Sequence, residues 1–506
     1  MNLFNWMSKF KKSTNHTENP EVDATLKDLL KQMKQSQDFE TLESPKPEKN
    51  LKIFYYHSLV DVEILHRDIL PYLKQNEINS LIDIKKVIPI ENITITNDLS
   101  KIEDQLFTGS IMIRFEENDE VVLIRAELKK ARDVALPEVE FSVVGPKESF
   151  VESLDTNINL VRKRLPIPEL TIQQFIVGKL SKTKVAILSI EGIANEENVN
   201  TVVQRIKEIS IDNLTDSSYV TQLIADNPNS PFPQLIDTER PDRISAVLTE
   251  GKVAILVDGA PHALIGPITL LEFFSAFEDY FLNWIVASFF RIIRLFAVLF
   301  SILITPIYVA VLTYHYEIIP KDVVSTLVTS RREVPLPPIL EAIFLELAIE
   351  LLREAGARLP TKVGQTIGIV GGIVIGTASV QAGLTSNVLL IIVALAALAS
   401  FTTPVYQMGN TIRLIRFPFL FFAHILGLLG ITICFCYILA HLLKLTSLGR
   451  PILEPIYPPR ITDLKDGFIR LPFSSQSKRP VYLQSEDTMK FKEKIKKRKP
   501  STELDG

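Results

Sequence analysis

The sequence predicts an α+β multidomain membrane protein, with two cytosolic α/β subdomains followed by an all-α transmembrane bundle. Three observations carry that expectation. Fifty residues from Val363 to Ile412 contain no Asp, Glu, Lys or Arg, whereas the first 240 residues carry charge at ordinary globular density. The first half alternates short β-branched runs with segments of helical period. And PLPPILEAIFLELAIELLREAGARLP, residues 335–360, sets Glu341, Glu346, Glu350, Arg353 and Glu354 into an apolar run between membrane-length segments, where charge is either costly or useful.

A chain of 506 residues has room for about three domains, and its formal net charge of −4 gives no reason to expect nucleic acid as a partner. Cys434 and Cys436 are the only cysteines, turned to different helix faces by their spacing, so neither a disulfide framework nor a metal site follows. GxxxxGK, HExxH, CxxC and GxSxG are absent, and the seven histidines are scattered without ligand spacing, so no enzyme and no cofactor is expected.

Residues 1–48 are polar and read as a mobile arm, and the N-terminus MNLFNWMSKFKKSTN lacks the apolar core of a signal peptide, which places the N-terminal half in the cytosol. A first α/β subdomain over 49–144 opens with the strand-like LKIFYYHSLVD, continues with the helical EILHRDILPYL, and returns to strands in SIMIRF and VVLIRAEL. His57 beside Tyr55 and Tyr56 invites a ligand pocket, though a surface or half-buried strand position is the commoner reading of such a residue. A second α/β subdomain over 145–268 runs helix (ESLDTNINLVRKRL), strand (VAILSIEG), helix (ENVNTVVQRIKEI), and ends in a pre-membrane hairpin. There VAILV and HALI flank Asp258 and Gly259, a dipeptide that tolerates positive φ.

Residues 269–294 are expected as an interfacial helix anchored by Arg291 and Arg294. The transmembrane domain, 295–443, holds spans near 295–314, 363–383, 387–403 and 417–443, with Tyr314 and Tyr316 at the far interface. Between the first two spans lies an amphipathic acidic helix, 338–355, started by Pro337 and Pro338 and ended by Gly356. At about 100° per residue, Glu346, Glu350, Arg353 and Glu354 share one face and Glu341 lies opposite. Copies around an axis would stack these carboxylates into rings, a common lining for a cation path. The alternative is a helix at the bilayer surface or against a soluble domain, with its Glu350–Arg353 pair solvated. Gly364, Gly368, Gly372 and Gly376 recur every four residues and form a narrow face, either a packing groove within one subunit or a subunit contact or pore wall. A basic C-terminal tail, 444–506, carries seven Lys and Arg among residues 490–499. Both this tail and the IRLIR segment, read as a loop, want the cytosol, yet one span separates them. With both termini cytosolic the number of full spans is even, which makes the acidic helix re-entrant or interfacial.

The motifs GPKESFVESLDTNINLVRKRL, DNPNSPFPQ, TERPDRISAVLTEGKVAILVDGAPHALIGP, SRREVPLPPILEAIFLELAIELLREAGARLP, GQTIGIVGGIVIG and DLKDGFIRLP together resemble the A subunits of nutrient germinant receptors, the GerA-type spore germination proteins. The resemblance covers about Gly145 to Pro480, roughly two thirds of the chain. It implies a multi-pass subunit of the spore inner membrane that works with a transporter-like B subunit and a lipoprotein C subunit, responds to nutrients, forms a homo-oligomer and conducts ions. Where the family more often shows SREGVP, this chain has SRREVP, so Arg332 and Glu333 put charge into a turn. A stage V sporulation AF-like subunit beside the dipicolinate release system shares these motifs. A nutrient transporter and a structural scaffold are the remaining alternatives, and neither paired broken helices nor an internal repeat favours the transporter.

Overall fold

A computed structural model describes residues 25–43, 51–115, 118–128, 137, 140, 144–359, 361–460, 463 and 467–491, with backbone alone for 361–370 and 474. Contacts divide it into two compact units.

The first unit begins inside the expected arm. Leu26–Met33 forms helix α1, closed by a reciprocal cap in which the Thr25 hydroxyl accepts the Asp28 N–H at 3.3 Å and the Asp28 carboxylate accepts the Thr25 N–H at 3.1 Å. Leu26, Leu30 and Met33 fall on one face and are buried, so this stretch is core and not arm. Strands β1 (Phe39–Glu43) and β2 (Leu51–Tyr56) follow, then helical turns α2 (Val62–Ile64), α3 (Leu70–Gln75) and α4 (Leu81–Val87), strand β3 (Ile93–Thr96), helix α5 (Leu99–Phe107), and strands β4 (Ser110–Phe115) and β5 (Val121–Arg125). The sheet order is β1-β2-β4-β5-β3, and every pairing is antiparallel. Because side chains alternate across a strand, Ile53, Ile111, Ile113 and Val122 enter one core while Phe54, Tyr56, Met112 and Leu123 enter the other, with α5 and α1. Tyr55 is buried and donates its hydroxyl to Glu40, and His57 is exposed.

The second unit holds α6 (Leu154–Arg164), β6 (Leu170–Val177), β7 (Thr183–Ile190), α7 (Glu196–Glu208), α8 (Ser217–Ile224), β8 (Ile236–Thr238), α9 (Pro241–Glu250), β9 (Val253–Val257) and β10 (Ala263–Gly266). Its sheet, order β6-β7-β9-β10-β8, is again wholly antiparallel. The expected hairpin is β9–β10, and Gly259 in its loop takes φ +86°.

The helical region belongs to the same unit. Where an interfacial helix was expected, residues Leu270–Phe274 and Phe277–Tyr280 make two 3₁₀ turns, and the α-helix starts only at Trp284, capped by Asn283. Helix α10 then runs unbroken from Trp284 to Tyr314, 31 residues, and among the described helices it is the one long and apolar enough to cross a membrane. Arg291 and Arg294 do not reach outward as anchors. Arg291 is 1 % exposed with its Nε 3.6 Å from Asp279, and Arg294 donates to Asp279 at 3.1 Å and to the Phe274 carbonyl at 2.7 Å. A carboxylate folded back by the 3₁₀ turns satisfies charges that sequence spacing alone assigned to headgroups.

After α10 come α11 (Lys321–Arg331), α12 (Pro338–Ala357), α13 (Thr361–Gln381), α14 (Asn387–Ser400), α15 (Tyr406–Leu426) and α16 (Leu428–Lys444). The expected span 417–443 is therefore two helices. They are separated at Gly427, whose φ +62°, ψ −139° belongs to a region that only glycine enters cheaply. The IRLIR segment is not a loop but lies within α15, which removes the conflict over its orientation. Tyr314 donates to the Ile425 carbonyl at 3.0 Å and the Leu428 N–H reaches His315 Nε2 at 3.4 Å, so the end of α10 meets the α15–α16 turn. At the other end, Thr411 donates to the Pro231 carbonyl at 2.5 Å and His441 Nε2 lies 2.9 Å from Ser230 Oγ, both against the second subdomain. Helices α15 and α16 therefore run in opposite directions between these ends.

The segment after Lys444 is no loose tail as far as residue 491. Strands β11 (Thr446–Ser447) and β12 (Arg450–Pro451) pair, and Ser447 donates to the Gln234 carbonyl at 2.6 Å. Tyr482 donates to Glu272 at 2.8 Å, and Ser485 donates to the Glu250 carbonyl at 3.0 Å. The basic run beyond lies outside the described residues.

Candidate functional site

Helix α12 begins at Pro338, where the missing N–H costs nothing because first-turn donors have no helical partner. Its charges form levels along the bundle. At the far level Glu341, fully buried, pairs with Arg331 of α11 at 2.7 Å and accepts the Ser386 N–H at 3.2 Å. At the middle level Glu346, 2 % exposed, pairs with Arg416 of α15 and accepts the Thr305 hydroxyl of α10 at 3.1 Å. Arg416 also donates to the Ala396 carbonyl of α14 at 3.4 Å, so this pair joins α10, α12, α14 and α15. At the next level Glu350, 31 % exposed, accepts from Arg353 at 2.9 Å and lies 3.6 Å from Arg413. The Arg353 guanidinium stands 4.7 Å from the Phe401 ring centroid. Last, Glu354 and Arg358 form an exposed pair, 64 % and 77 % accessible.

The stripe expected from the helix period thus exists, but its members differ. Glu346 is buried and closes on an internal cation. Glu350 and Arg353 are half-buried at the level where the bundle begins to open, and Glu354 is free to meet solvent. Sequence reasoning missed Arg331, Arg413 and Arg416. The signal was present, since Arg413 and Arg416 stand three residues apart in an apolar stretch and complement carboxylates four apart on α12, but Gly409, Asn410 and Pro418 read as loop punctuation.

Of the glycine face, Gly364 and Gly368 fall where only backbone is described. A Cβ on Gly372 meets no described atom within 4 Å, and one on Gly376 meets only Leu390, at 3.6 Å. Neighbouring Gly371 packs against Leu352 of α12, where a Cβ would come within 2.6 Å of Cδ2. So α13 leans on α12 at Gly371 and on α14 at Gly376, which is buried, and of the expected ladder Gly372 is the described member left open. Arg332 and Glu333 are both exposed, so the departure from the family's turn puts its charge into solvent.

A second charged junction ties the helices to the second subdomain. Asp226 accepts from Arg205 of α7, from the Thr446 hydroxyl just after α16, and from the Gly449 N–H at 2.8 Å. Burial pushes its pKa up, and these hydrogen bonds together outweigh burial and hold it below the ordinary carboxylate value. Among the described residues, no cluster of three or more His, Cys, Asp or Glu is placed to hold a metal ion.

A model of the family described as "Bacillus/Clostridium GerA spore germination protein" matches residues 26–482. The chain belongs to that family. It is 53 % identical over 477 residues to the spore germination protein GerQA of Bacillus cereus, covering 94 % of this chain and 96 % of the relative. It is 48 % identical to GerIA of the same species, over 93 % of this chain and 71 % of the relative, and 36 % identical to spore germination protein A1 of Bacillus subtilis, over 89 % and 94 %. Among solved structures, the N-terminal domain of the A subunit of the Bacillus megaterium spore germinant receptor GerK3 is 26 % identical, covers 48 % of this chain and 95 % of that one, and superposes with a TM-score of 0.37. The GerA family model begins at residue 26, the first residue of α1, and ends at Tyr482, the residue that bonds Glu272, so the helix taken for arm and the fold-back as far as Tyr482 lie inside the stretch that the family model matches.

Proposed function

We propose that this GerA-family chain is the membrane subunit of a nutrient germinant receptor, and that it oligomerises through α13 to conduct ions or transmit the germination signal. It sits in the spore inner membrane with both mixed subdomains in the cytosol. Its partners are the transporter-like B subunit and lipoprotein C subunit that the resemblance implies. The observation that carries the assembly is the open face of α13: Gly372 has no described neighbour within 4 Å, and Ile373 and Val374 beside it are 62 % and 55 % exposed. An exposed glycine between exposed apolar residues, which no described atom of its own chain fills, suits close approach of another helix. The span-length α10, with α15 and α16 running from the second subdomain to its far end and back, supports a multi-pass arrangement with the chain leaving on the side where it entered. Within the acidic stripe Glu346 is a lock between helices, while Glu350, Arg353 and Glu354 supply the polar lining toward the cytosolic mouth.

Full-length protein in liposomes tests this reading. The parent should form oligomers and pass cations; Gly372→Leu should lower the oligomeric fraction without lowering the melting temperature of the subunit, because the position is exposed and a Cβ there meets no described atom of its own chain. Glu350→Gln keeps the shape and should alter cation flux or selectivity at unchanged abundance. Oligomers that pass no current would leave signal transmission alone, and a parent that stays monomeric would reject the assembly.

A further inference from the structure

The segment GFIRLPF, residues 467–473, is part of a family motif to which the preceding sections assign no role. We propose that it is a lipid-contacting segment, seated in the headgroup layer on the cytosolic side of the bilayer. The proposal rests on the reading of α10 as a membrane span.

The segment is fixed to the start of α10. Arg470, 2 % exposed, donates to the Leu282 carbonyl at 2.6 Å and the Tyr280 carbonyl at 3.0 Å, and its own carbonyl accepts the Ser288 hydroxyl at 3.2 Å. Its guanidinium stands 4.8 Å from the Phe473 ring centroid. Gly467 lets the backbone lie directly on Leu271, since a Cβ there would come within 2.5 Å of Cδ1. The cation is thus spent inward on carbonyls, and what turns outward is apolar: Phe468, Ile469 and Phe473 are 38 %, 44 % and 62 % exposed. Exposed Trp284 and Ile285 stand at the start of α10, farther from the hydrocarbon core than Ser288.

Depth follows from helix length. With 31 residues α10 is about 46 Å long, some 16 Å more than the ~30 Å hydrocarbon core. If Tyr314 lies in the far headgroup layer, as aromatic residues at span ends do, about twenty residues inward of it cross the core, and the near boundary falls around Ile292 and Ile293. Ser288 then stands about 7 Å outside that boundary, within a headgroup layer of roughly 5–8 Å. Because Ser288 holds the Arg470 carbonyl, the outward side chains of 468–473 share that depth. Exposed aromatic and branched apolar groups there suit lipid, and with Arg470 turned inward the contact does not depend on anionic headgroups.

Single-tryptophan reporters in the full chain test it. In a Trp6→Phe, Trp284→Phe background reconstituted in vesicles, Phe473→Trp, with Ile469→Trp as a second reporter, should lose roughly half its emission when the lipid is brominated near the headgroup and less when bromine lies deep. Leu299→Trp, an exposed position of α10 about 10 Å inside the hydrocarbon boundary, should show the opposite depth preference. Quenching should be equal in phosphatidylcholine vesicles with and without phosphatidylglycerol. Unquenched reporters at 473 and 469 with a quenched one at 299 overturn the proposal alone, whereas no quenching at any position overturns the membrane reading beneath it. Blue-shifted emission at 473 without bromine quenching identifies a second copy of the chain as the occupant, and dependence on phosphatidylglycerol assigns the contact to cationic residues; either outcome overturns the proposal.

Discussion

Removing one partner of the Glu346–Arg416 pair should cost the helical region far more than removing both. Both side chains are almost wholly buried, and among the described residues the Arg416 guanidinium without Glu346 keeps only the Ala396 carbonyl at 3.4 Å. An uncompensated buried charge costs about 3–5 kcal/mol, a large share of the roughly 5–15 kcal/mol that holds a typical domain together. The Thr305 hydroxyl loses its acceptor as well, a further ~1 kcal/mol. Replacing the pair by apolar residues of similar volume, Glu346→Leu with Arg416→Met, removes both charges and should return stability to within about 1 kcal/mol of the parent or above it. The double-mutant cycle should therefore give an interaction of at least about 3 kcal/mol, beyond what contacts of ordinary neighbours show. Unfolding of the full chain in mixed detergent micelles measures it, with Glu354→Gln as a control that should change little because its pair with Arg358 is solvent-exposed. If Glu346→Leu alone shifts stability by no more than the ~0–1 kcal/mol of a surface pair, the pair is wet, and the lock assigned to Glu346 is wrong.

Gly427→Ala should destabilise the turn between α15 and α16 by about 1–3 kcal/mol, because the backbone there is glycine-only and a Cβ would approach His315 Nε2 to 2.8 Å; a melting temperature equal to the parent's would contradict this. Asp226 gives a pH dependence of definite sign. Its folded pKa is depressed, so its contribution is fully present above the unfolded value of about 4 and fades as pH falls through the lower folded value. Asp226→Asn should remove that acid sensitivity while lowering stability at neutral pH, and acid melts of unchanged slope would count against the junction. Tyr482→Phe deletes a buried hydrogen bond to Glu272 and should cost about 1–2 kcal/mol, seen also as faster proteolysis of the C-terminal segment.

Much of the organisation was legible because its signals are local. The two prolines and the glycine that bracket α12, the hairpin around Asp258 and Gly259, and the charge-free run after Val363 each depend on residues a few positions apart. The limits of α12 and of the hairpin stand within two or three residues of where capping and turn chemistry put them. The acidic stripe was equally a matter of helical period. Composition misled where a short amphipathic helix, α1, sat in polar surroundings.

The sequence by itself determined which residues of α12 would carry charge on one face and that such charge must find a partner, because desolvation of a carboxylate is expensive wherever the helix lies. Only the tertiary structure decided which partner each one has. Arg416 stands 70 positions from Glu346, in a segment whose Gly409 and Pro418 spell a break, and α15 nevertheless runs helical through Pro418. Packing against α10 and the ion pair to α12 outweigh the hydrogen bond that proline removes. Whether a buried carboxylate lines a path or locks two helices depends on what stands within about 4 Å of it, and local sequence periodicity holds no record of that distance.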